Sequence, residues 1–315
     1  MAVGAYSART GNAVHWNPIV EHWSGTSWTR VRLPASASPS SLEHVTCLST
    51  SFCVAVGGTT SAGLTTTGLV VTWNGTAWSA HRLGHTLLNG ISCVSRTWCR
   101  AAGSEADIPR GRLPILTWNG TRWGTTIDDA PSNATITSID CPTERACVAI
   151  GAKPVQAGSA TFAQLWGGGR WREIPVPHDT SAALYAVDCV TRTHCVAVGN
   201  TTSLPYRTLV EVWNEARWTV VKSPNNPRLS DNLLNSVSCP AVDRCAAVGW
   251  AEDPYQTREA PLIETWSNGH WVMCANARTD DARLWRVSCP STGACRATGD
   301  RGLPKYRTFA ESGTP

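Results

Sequence analysis

The 315-residue sequence predicts an all-β chain: a β-propeller of four-stranded antiparallel blades, seven-bladed, with incomplete first and last blades. Three observations carry this expectation. Twelve of the 13 cysteines form six CxxxxxC pairs, Cys47/Cys53, Cys93/Cys99, Cys141/Cys147, Cys189/Cys195, Cys239/Cys245 and Cys289/Cys295, whose first members lie 46 to 50 residues apart. Twelve of the 16 tryptophans form six WxxxxW pairs with the same period: Trp23/Trp28, Trp73/Trp78, Trp118/Trp123, Trp166/Trp171, Trp213/Trp218 and Trp266/Trp271. Each repeat also holds four short runs rich in Val, Thr, Leu and Trp, bounded by Gly, Asn, Pro and Ser, and no segment sustains a helical period with a cap. A right-handed β-solenoid is the structural rival, but its coils would be about half this length and need no hairpin inside each unit.

One repeat serves for all. Run A is Leu184 to Cys189, run B Cys195 to Val198, run C Leu209 to Trp213 and run D Arg217 to Val221. The blades are then 1–38 (partial), 41–83, 87–128, 134–177, 183–224, 233–278 and 283–315 (partial), within one closed domain. Linkers such as Pro34 to Ser40 read as Pro- and Ser-rich turns. The hairpin between C and D is clearest in WNGTAW, Trp73 to Trp78, where Asn-Gly suits a type I′ turn. If Trp73 pairs with Thr76, Val71 pairs with Trp78, and both indoles fall on one blade face as diagonal neighbours. Packing between blades is the reading of these tryptophans, a ligand platform its rival. Trp98, in an A to B loop, and Trp285, on a first strand, also read as packing.

Each CxxxxxC pair spans the A to B turn and is expected to pin a five-residue loop. A disulfide there closes a ring of roughly seven residues, worth about 2 kcal/mol by chain entropy, and six together approach the net stability of a domain. Metal binding is the alternative, but the spacing is not that of CxxC zinc sites and no histidine recurs with it. His81 and His85 stand at helical spacing, yet Arg82-Leu83-Gly84 between them reads as a turn. Paired cysteines place the protein in an oxidising compartment, secreted or exposed on the cell envelope. Cys274, the thirteenth cysteine, falls on run D of the sixth blade: a buried free thiol, or the link to a disulfide-bonded partner.

Met1-Ala2-Val3-Gly4 aligns with Val54-Ala55-Val56-Gly57, the end of a run B, and the last blade stops after run C. The expectation is an upstream coding segment of roughly 25 to 40 residues supplying a D run, then an A run with its cysteines, behind an export signal.

Charged residues are 16% of the chain and the net charge of +4 is dispersed, which argues against a nucleic-acid partner. No run of 18 apolar residues suggests a membrane span, and no calcium loop, P-loop, HExxH or GxSxG motif points to a cofactor, a metal or a known catalytic centre. Among 27 basic residues, 24 are arginine, a skew typical of GC-rich bacterial genomes.

The pattern VSC-x5-CVAVG, a variable loop, then L-x-E-x-W-N-G-T-x-W resembles the Cys-paired β-propeller repeats of exported actinobacterial proteins, over nearly the whole chain. It also resembles kelch units, with Gly after the second strand and Trp after the third. The likeness to the Asp-box turn of sialidases is partial: Gly75 and Trp78 match, while Trp73 stands in the Asp position. None of these carries catalytic residues across.

Function is expected on the face formed by the B to C loops and D to A linkers, because the A to B and C to D turns are monotonous and these differ in every blade. Off the repeat pattern lie Trp16 and Trp250, read as exposed indoles beside acids and guanidinium groups, a platform for the apolar face of a sugar or an interface anchor. Loop packing is the plainer alternative. The candidate ligand-binding set is Trp16, Trp250, Tyr255, Glu252, Arg258, Asp107, Arg110, Asp300 and Arg301. Tyr6, Arg9 and His15 in the first loop, Glu105 and Arg112 in the third, and Asp253 in the sixth accompany them, as do Lys305, Tyr306 and Arg307 in the seventh. Tyr206 and Arg207 occupy the fifth loop, and Asp128-Asp129, His178-Asp179, Asp231 and Asp280-Asp281 the linkers. Of the tyrosines, Tyr206, Tyr255 and Tyr306 recur in similar tetrapeptides and lean structural. The leading expectation is an exported, non-catalytic binding propeller with a glycan or protein ligand. A polysaccharide-cleaving enzyme using Asp107, Asp128, Glu252 and Asp300 is the second, and a structural spacer of a larger envelope protein the third.

Overall fold

A computed structural model describes residues 1–10, 13–60, 66–84, 86–105, 114–127, 134–156, 158–177, 182–255, 257–274, 281–301 and 307–313. Among these residues the strands form seven sheets, five of four strands and two of three, and the only helical segment is the short turn Ala35–Ala37. The all-β expectation with incomplete first and last blades is thus met. The chain divides into two compact units, Met1–Arg145 with Trp166–Arg172, and Ala146–Leu165 with Glu173–Pro315.

The first unit opens with the three-stranded sheet β1 (Ala2–Thr10), β2 (Ala13–Trp23) and β3 (Trp28–Val31). Two four-stranded sheets follow: β4 (Ser41–Ser49), β5 (Phe52–Thr60), β6 (Thr66–Trp73), β7 (Trp78–Gly84), then β8 (Thr86–Ser95), β9 (Trp98–Glu105), β10 (Pro114–Trp118), β11 (Trp123–Ile127). The division falls inside the fourth sheet, made of β12 (Thr135–Thr143), β13 (Ala146–Val155), β14 (Gly158–Trp166) and β15 (Trp171–Ile174). The second unit continues with β16 (Ala182–Thr191), β17 (His194–Thr201), β18 (Thr208–Trp213), β19 (Trp218–Val221) and with β20 (Asp231–Ala241), β21 (Arg244–Glu252), β22 (Glu259–Ser267), β23 (His270–Met273). It ends in the three-stranded sheet β24 (Ala282–Ser291), β25 (Ala294–Arg301) and β26 (Arg307–Gly313).

The second strands β5 and β17 are apolar on both faces because both are covered. Val54 and Val56 pack toward Leu88 and Ile91 of the third sheet, while Cys53 and Ala55 pack with Leu42, Val20 and Trp78 on the other side. The same arrangement in the second unit sets Val196 and Val198 against Leu234 and Leu262, and Cys195 and Ala197 against Val148 and Ile150. Full burial of each valine or leucine here contributes about 1.5–3 kcal/mol, and covering both faces is why CVAV reads as a continuous apolar run rather than an alternating one. The glycine that closes the run meets a backbone obstacle. A Cβ on Gly199 would lie 1.8 Å from the Ala183 carbonyl oxygen, and on Gly249 1.9 Å from that of Leu233. Both carbonyls border a bulge in the first strand, at Leu184/Ala186 and Leu234/Ser236.

Side chains of one first strand cap the backbone of the next. Cys141 N donates to Ser92 Oγ (3.0 Å), Cys239 N to Asp188 Oδ2 (3.2 Å) and Cys289 N to Ser238 Oγ (3.1 Å), so in these three places the residue before the first cysteine covers an exposed strand edge.

The six expected disulfides form: Cys47–Cys53, Cys93–Cys99, Cys189–Cys195, Cys239–Cys245 and Cys289–Cys295, with Cys141 and Cys147 disulfide-bonded as well. Each spans the turn between first and second strands as expected, and the bridges lie deeper than the turn alone requires. Cys99 lies inside β9, opposite Cys93 on β8 and Trp118 on β10, and the ladder has already begun on its outer side with Ser95 opposite Trp98. Cys99 and Cys195 are fully buried, and Cys99 packs in one core cluster with Leu88, Ile91 and Leu116. Cys47–Cys53 and Cys189–Cys195 likewise join directly paired residues of neighbouring strands. The bridges are therefore cross-strand links within the core, and their sulfurs fill volume there as apolar side chains do.

Several local expectations are corrected. Trp73 pairs directly with Trp78, not with Thr76, because the hairpin places four residues between them. Only Gly75 takes a positive φ, 101°, while Asn74 Oδ1 accepts from the amides of Thr76 and Ala77; this is the pattern with glycine first in the turn, not type I′. The type I′ turn occurs once among the described hairpins, where Asn268 (φ 53°) and Gly269 (φ 83°) join Ser267 to His270. The paired indoles are therefore cross-strand partners, with ring centroids 5.3–5.8 Å apart in all six pairs. The second indole of the pair is buried at Trp78, Trp171, Trp218 and Trp271. The first donates its N–H to a turn carbonyl at Trp73 (Thr50, 3.0 Å), Trp118 (Arg96, 2.9 Å) and Trp166 (Glu144, 3.2 Å). Arg82-Leu83-Gly84 is strand rather than turn, and Trp98 begins β9. Cys274, a free cysteine, lies one residue beyond β23.

Candidate functional site

The variable end of the second unit is built on extended strands rather than loops. Trp250 and Glu252 belong to β21, and Asp300 and Arg301 to β25, because the ladders run on past the glycine: Asp231 pairs with Glu252 and Ala282 with Arg301. Likewise Tyr6, Arg9, His15 and Trp16 form the β1–β2 hairpin, with Ser7 opposite Trp16, and Glu105 ends β9.

At this end β20, β21, β22, β24 and β25 bring together two tryptophans, four acids and an arginine. Trp250 is buried, 8% exposed, which overturns its reading as an exposed platform. Its ring lies 4.8 Å from that of Trp285, tilted by 57°. Trp285 is the exposed partner at 37%. It occupies the bulge of β24 between Leu284 and Arg286, where the extra residue is released from the ladder and re-aimed. Each indole N–H ends on a carboxylate: Trp250 Nε1 donates to Glu252 Oε2 (3.2 Å) and Trp285 Nε1 to Asp300 Oδ2 (3.0 Å).

Arg283 holds the acids in place. Its Nη2 donates to Glu252 Oε2 at 3.1 Å and to Glu259 Oε1, and its guanidinium carbon lies 5.0 Å from the Trp250 ring centroid. Burial pushes the Glu252 carboxyl above its ordinary value. The Trp250 N–H and Arg283 oppose that shift, and Glu259 and Asp231 add to it. Asp231 Oδ1 accepts from Tyr206 N (2.9 Å), and Asn232 N donates to Tyr206 O (3.0 Å), which ties the fifth sheet's variable loop to this cluster. Burial, with Tyr206 second, raises the phenol of Tyr185. Asp281 N donates to Glu259 O (2.8 Å).

Tyr255 and Arg258 stand outside the cluster on the β21–β22 loop, Tyr255 84% exposed. Asp253 shapes that loop by accepting from Thr257 N (2.8 Å) and Oγ1 (2.6 Å), and these bonds hold its carboxyl below the ordinary value. Trp16 lies in the first unit, 57% exposed, and Arg30 sits 4.2 Å over the nearby strand's Tyr6 ring. Asp107, Arg110, Arg112, Asp128, Asp129, His178, Asp179, Asp280, Lys305 and Tyr306 lie outside the described residues, as do the side chains of Glu105, Arg301 and Arg307. No group of three metal-ligating side chains occurs among the described residues.

Sequence reasoning missed Trp285, Arg283 and Glu259. The signal for Trp285 was its column: four residues before the first cysteine, sheets two, three, five and six hold Glu43, Asn89, Tyr185 and Asn235.

This architecture is found in solved structures. A fungal lectin from Aleuria aurantia, a six-bladed β-propeller, covers 87% of this chain and 94% of its own at 10% identity and a TM-score of 0.53. The fold is a β-propeller. YCF48 from Cyanidioschyzon merolae is similar over 96% of this chain and 91% of its own (10% identity, TM-score 0.61), and an ulvan lyase of a new polysaccharide lyase family over 98% and 91% (8% identity, TM-score 0.60). Identities this low show the fold alone. No family model and no curated protein sequence matches the chain. No helix among the described residues is long and apolar enough to cross a membrane.

Proposed function

We propose that the protein is an exported, non-catalytic binding module whose ligand is a glycan, held at the β20–β25 end of the second unit. The observation that carries this reading is the exposed Trp285 indole, backed by Trp250 and oriented by Asp300. A partly exposed ring fixed by a second ring and a hydrogen bond offers a flat apolar face at little entropic cost, beside acids that accept hydroxyl hydrogen bonds. The similar fungal lectin recognises fucose. Export is supported by the paired cysteines, which suit an oxidising compartment.

The test is binding of the oxidised protein to an array of bacterial and plant polysaccharides, with Trp285→Ala and Trp16→Ala alongside. Trp285→Ala should weaken glycan binding about tenfold or more, as loss of an anchoring aromatic does. Glycan binding equal to that of the parent in Trp285→Ala ends this reading of the site. Trp250→Ala is the poorer probe, because removing a buried ring disturbs packing as well as binding.

A polysaccharide-cleaving activity is the second reading, favoured by the buried Glu252 with its raised pKa and by Asp300 at the other side of the tryptophan pair. Glu252→Gln and Asp300→Asn distinguish the two. A catalytic acid lost to an amide lowers turnover by orders of magnitude, whereas binding fades gradually. A disulfide-linked partner at the partly buried Cys274 would appear as a reductant-sensitive heavier band on non-reducing electrophoresis.

A further inference from the structure

The two tryptophans of the cluster share an electronic arrangement. A carboxylate accepting an indole N–H pushes electron density into the ring and deepens the negative potential over its face, the potential that attracts cations. Trp250 has Glu252 in that role and Trp285 has Asp300. The Trp250 face is already occupied by the Arg283 guanidinium, 5.0 Å from the centroid. Trp285 repeats the arrangement, and 37% of it is open to solvent.

Among the described side chains of the cluster the acids outnumber the bases. Asp231, Glu252, Glu259 and Asp300 stand against Arg283 and Arg286, a surplus of two negative charges among these six side chains. Arg283 is committed to Glu252 and Glu259, and Asp300 Oδ1 is buried with no hydrogen-bond donor among the described residues. A neutral sugar would use only the apolar character of the exposed ring, and an acidic sugar would meet repulsion. We propose that the Trp285 face binds a cationic group, and that the glycan is a basic amino sugar whose ammonium lies over this indole. This rests on the glycan reading above and adds the charge of the ligand to it.

The experiment is calorimetric titration of the full oxidised chain, at mildly acidic pH, with three probes: a glucosamine oligosaccharide, its N-acetylated counterpart of equal length, and an arginine-rich peptide. The glucosamine oligomer should bind about two- to fivefold tighter than the N-acetylated one, the ratio expected for one exposed cation over an indole. That preference should shrink with added salt and in Asp300→Asn, which keeps an oxygen acceptor for the indole N–H but removes the charge. Equal affinity for the two oligomers overturns the cationic site and leaves the glycan reading standing. Binding of the peptide alone, weakened by Asp300→Asn, supports the cationic site and removes the glycan. An unchanged preference in a folded Asp300→Asn variant, or silence from all three probes, overturns the proposal; the comparison of probes on the unmutated protein needs no variant to fold.

Discussion

Glu264, in β22, is fully buried, and Ser223 Oγ donates to its Oε2 at 2.6 Å. Burial pushes its carboxyl from 4.5 to about 8, against the Ser223 hydrogen bond, which lowers it. The folded pKa lies above the unfolded one, so the folded chain keeps a proton that the unfolded chain releases. The associated stability is full below pH 4.5, falls as pH rises, and levels off above about 8. At about 1.4 kcal/mol per pH unit the gap from 4.5 to about 8 gives a ceiling near 5 kcal/mol, and local relaxation reduces it to between about 2 and 5 kcal/mol. Glu264→Gln fixes the neutral form, with an amide oxygen left to accept from Ser223. Denaturant unfolding of both proteins, disulfides intact, at steps from about pH 5 to about pH 9, isolates this one group, because every other titration cancels in the difference. The two should unfold at nearly the same denaturant concentration at about pH 5, and the variant should be the more stable by about 2–5 kcal/mol at about pH 9. A difference constant across the range, or one that grows toward acid, refutes the buried neutral carboxyl. Ser223→Ala, by removing the one opposing influence, should extend the loss to still higher pH.

Three further outcomes follow from the packing. Gly199→Ala forces a Cβ to within 1.8 Å of a backbone oxygen that cannot rotate away, and should cost about 3 kcal/mol in denaturant unfolding, where an alanine at the open Gly169 should cost little. Arg100, buried with its guanidinium carbon 3.9 Å from the Trp166 centroid and 5.1 Å from that of Trp98, should lose about 2 kcal/mol on replacement by Met, with Lys intermediate because it keeps the charge but not the plane. Replacing both Cys239 and Cys245 by Ser opens a bridge of sequence separation 6 and should lower stability by about 2 kcal/mol without changing the circular dichroism of the folded state.

What the sequence revealed and what it hid have a common physical root. VxC, CVAVG and the tryptophan pairs were readable because each is imposed by a contact that recurs from sheet to sheet: the strand-edge cap, the glycine against the bulge, the stacked indoles. The hairpin register was not, since W-N-G-T-A-W is compatible with either a two- or a four-residue connection and only the Asn74 side chain's choice of amides decides it. The depth of the bridges was hidden as well, because a spacing of six fits a surface loop or a paired register, and only the strand that carries Cys99 into the core decides between them. Glu211 and Glu264 were hidden for another reason. In L-x-E-x-W a glutamate looks solvent-facing, but sheets stacked on both sides leave its strand no solvent face, and both are fully buried.

Trp250 and Trp285 invert the usual inference from a broken repeat. Trp250 stood out because it follows the glycine of CAAVG, but a residue that departs from the pattern is exposed only if nothing fills the space beside it, and Trp285 fills it. Trp285 stands in the bulge column, whose residues do not share one cross-strand partner. Asn89 and Asn235 use that freedom to reach the carbonyls of Ile136 (2.9 Å) and Leu284 (3.2 Å) in the next sheet, a structural use. Tyr185 sits in the same column partly buried near Tyr206, and Trp285 turns to Trp250 and Asp300. A bulge repeated in five of the sheets therefore supplies positions that can change identity without disturbing a ladder, which is where a repeat protein can alter what it binds while the strands that carry the site stay fixed.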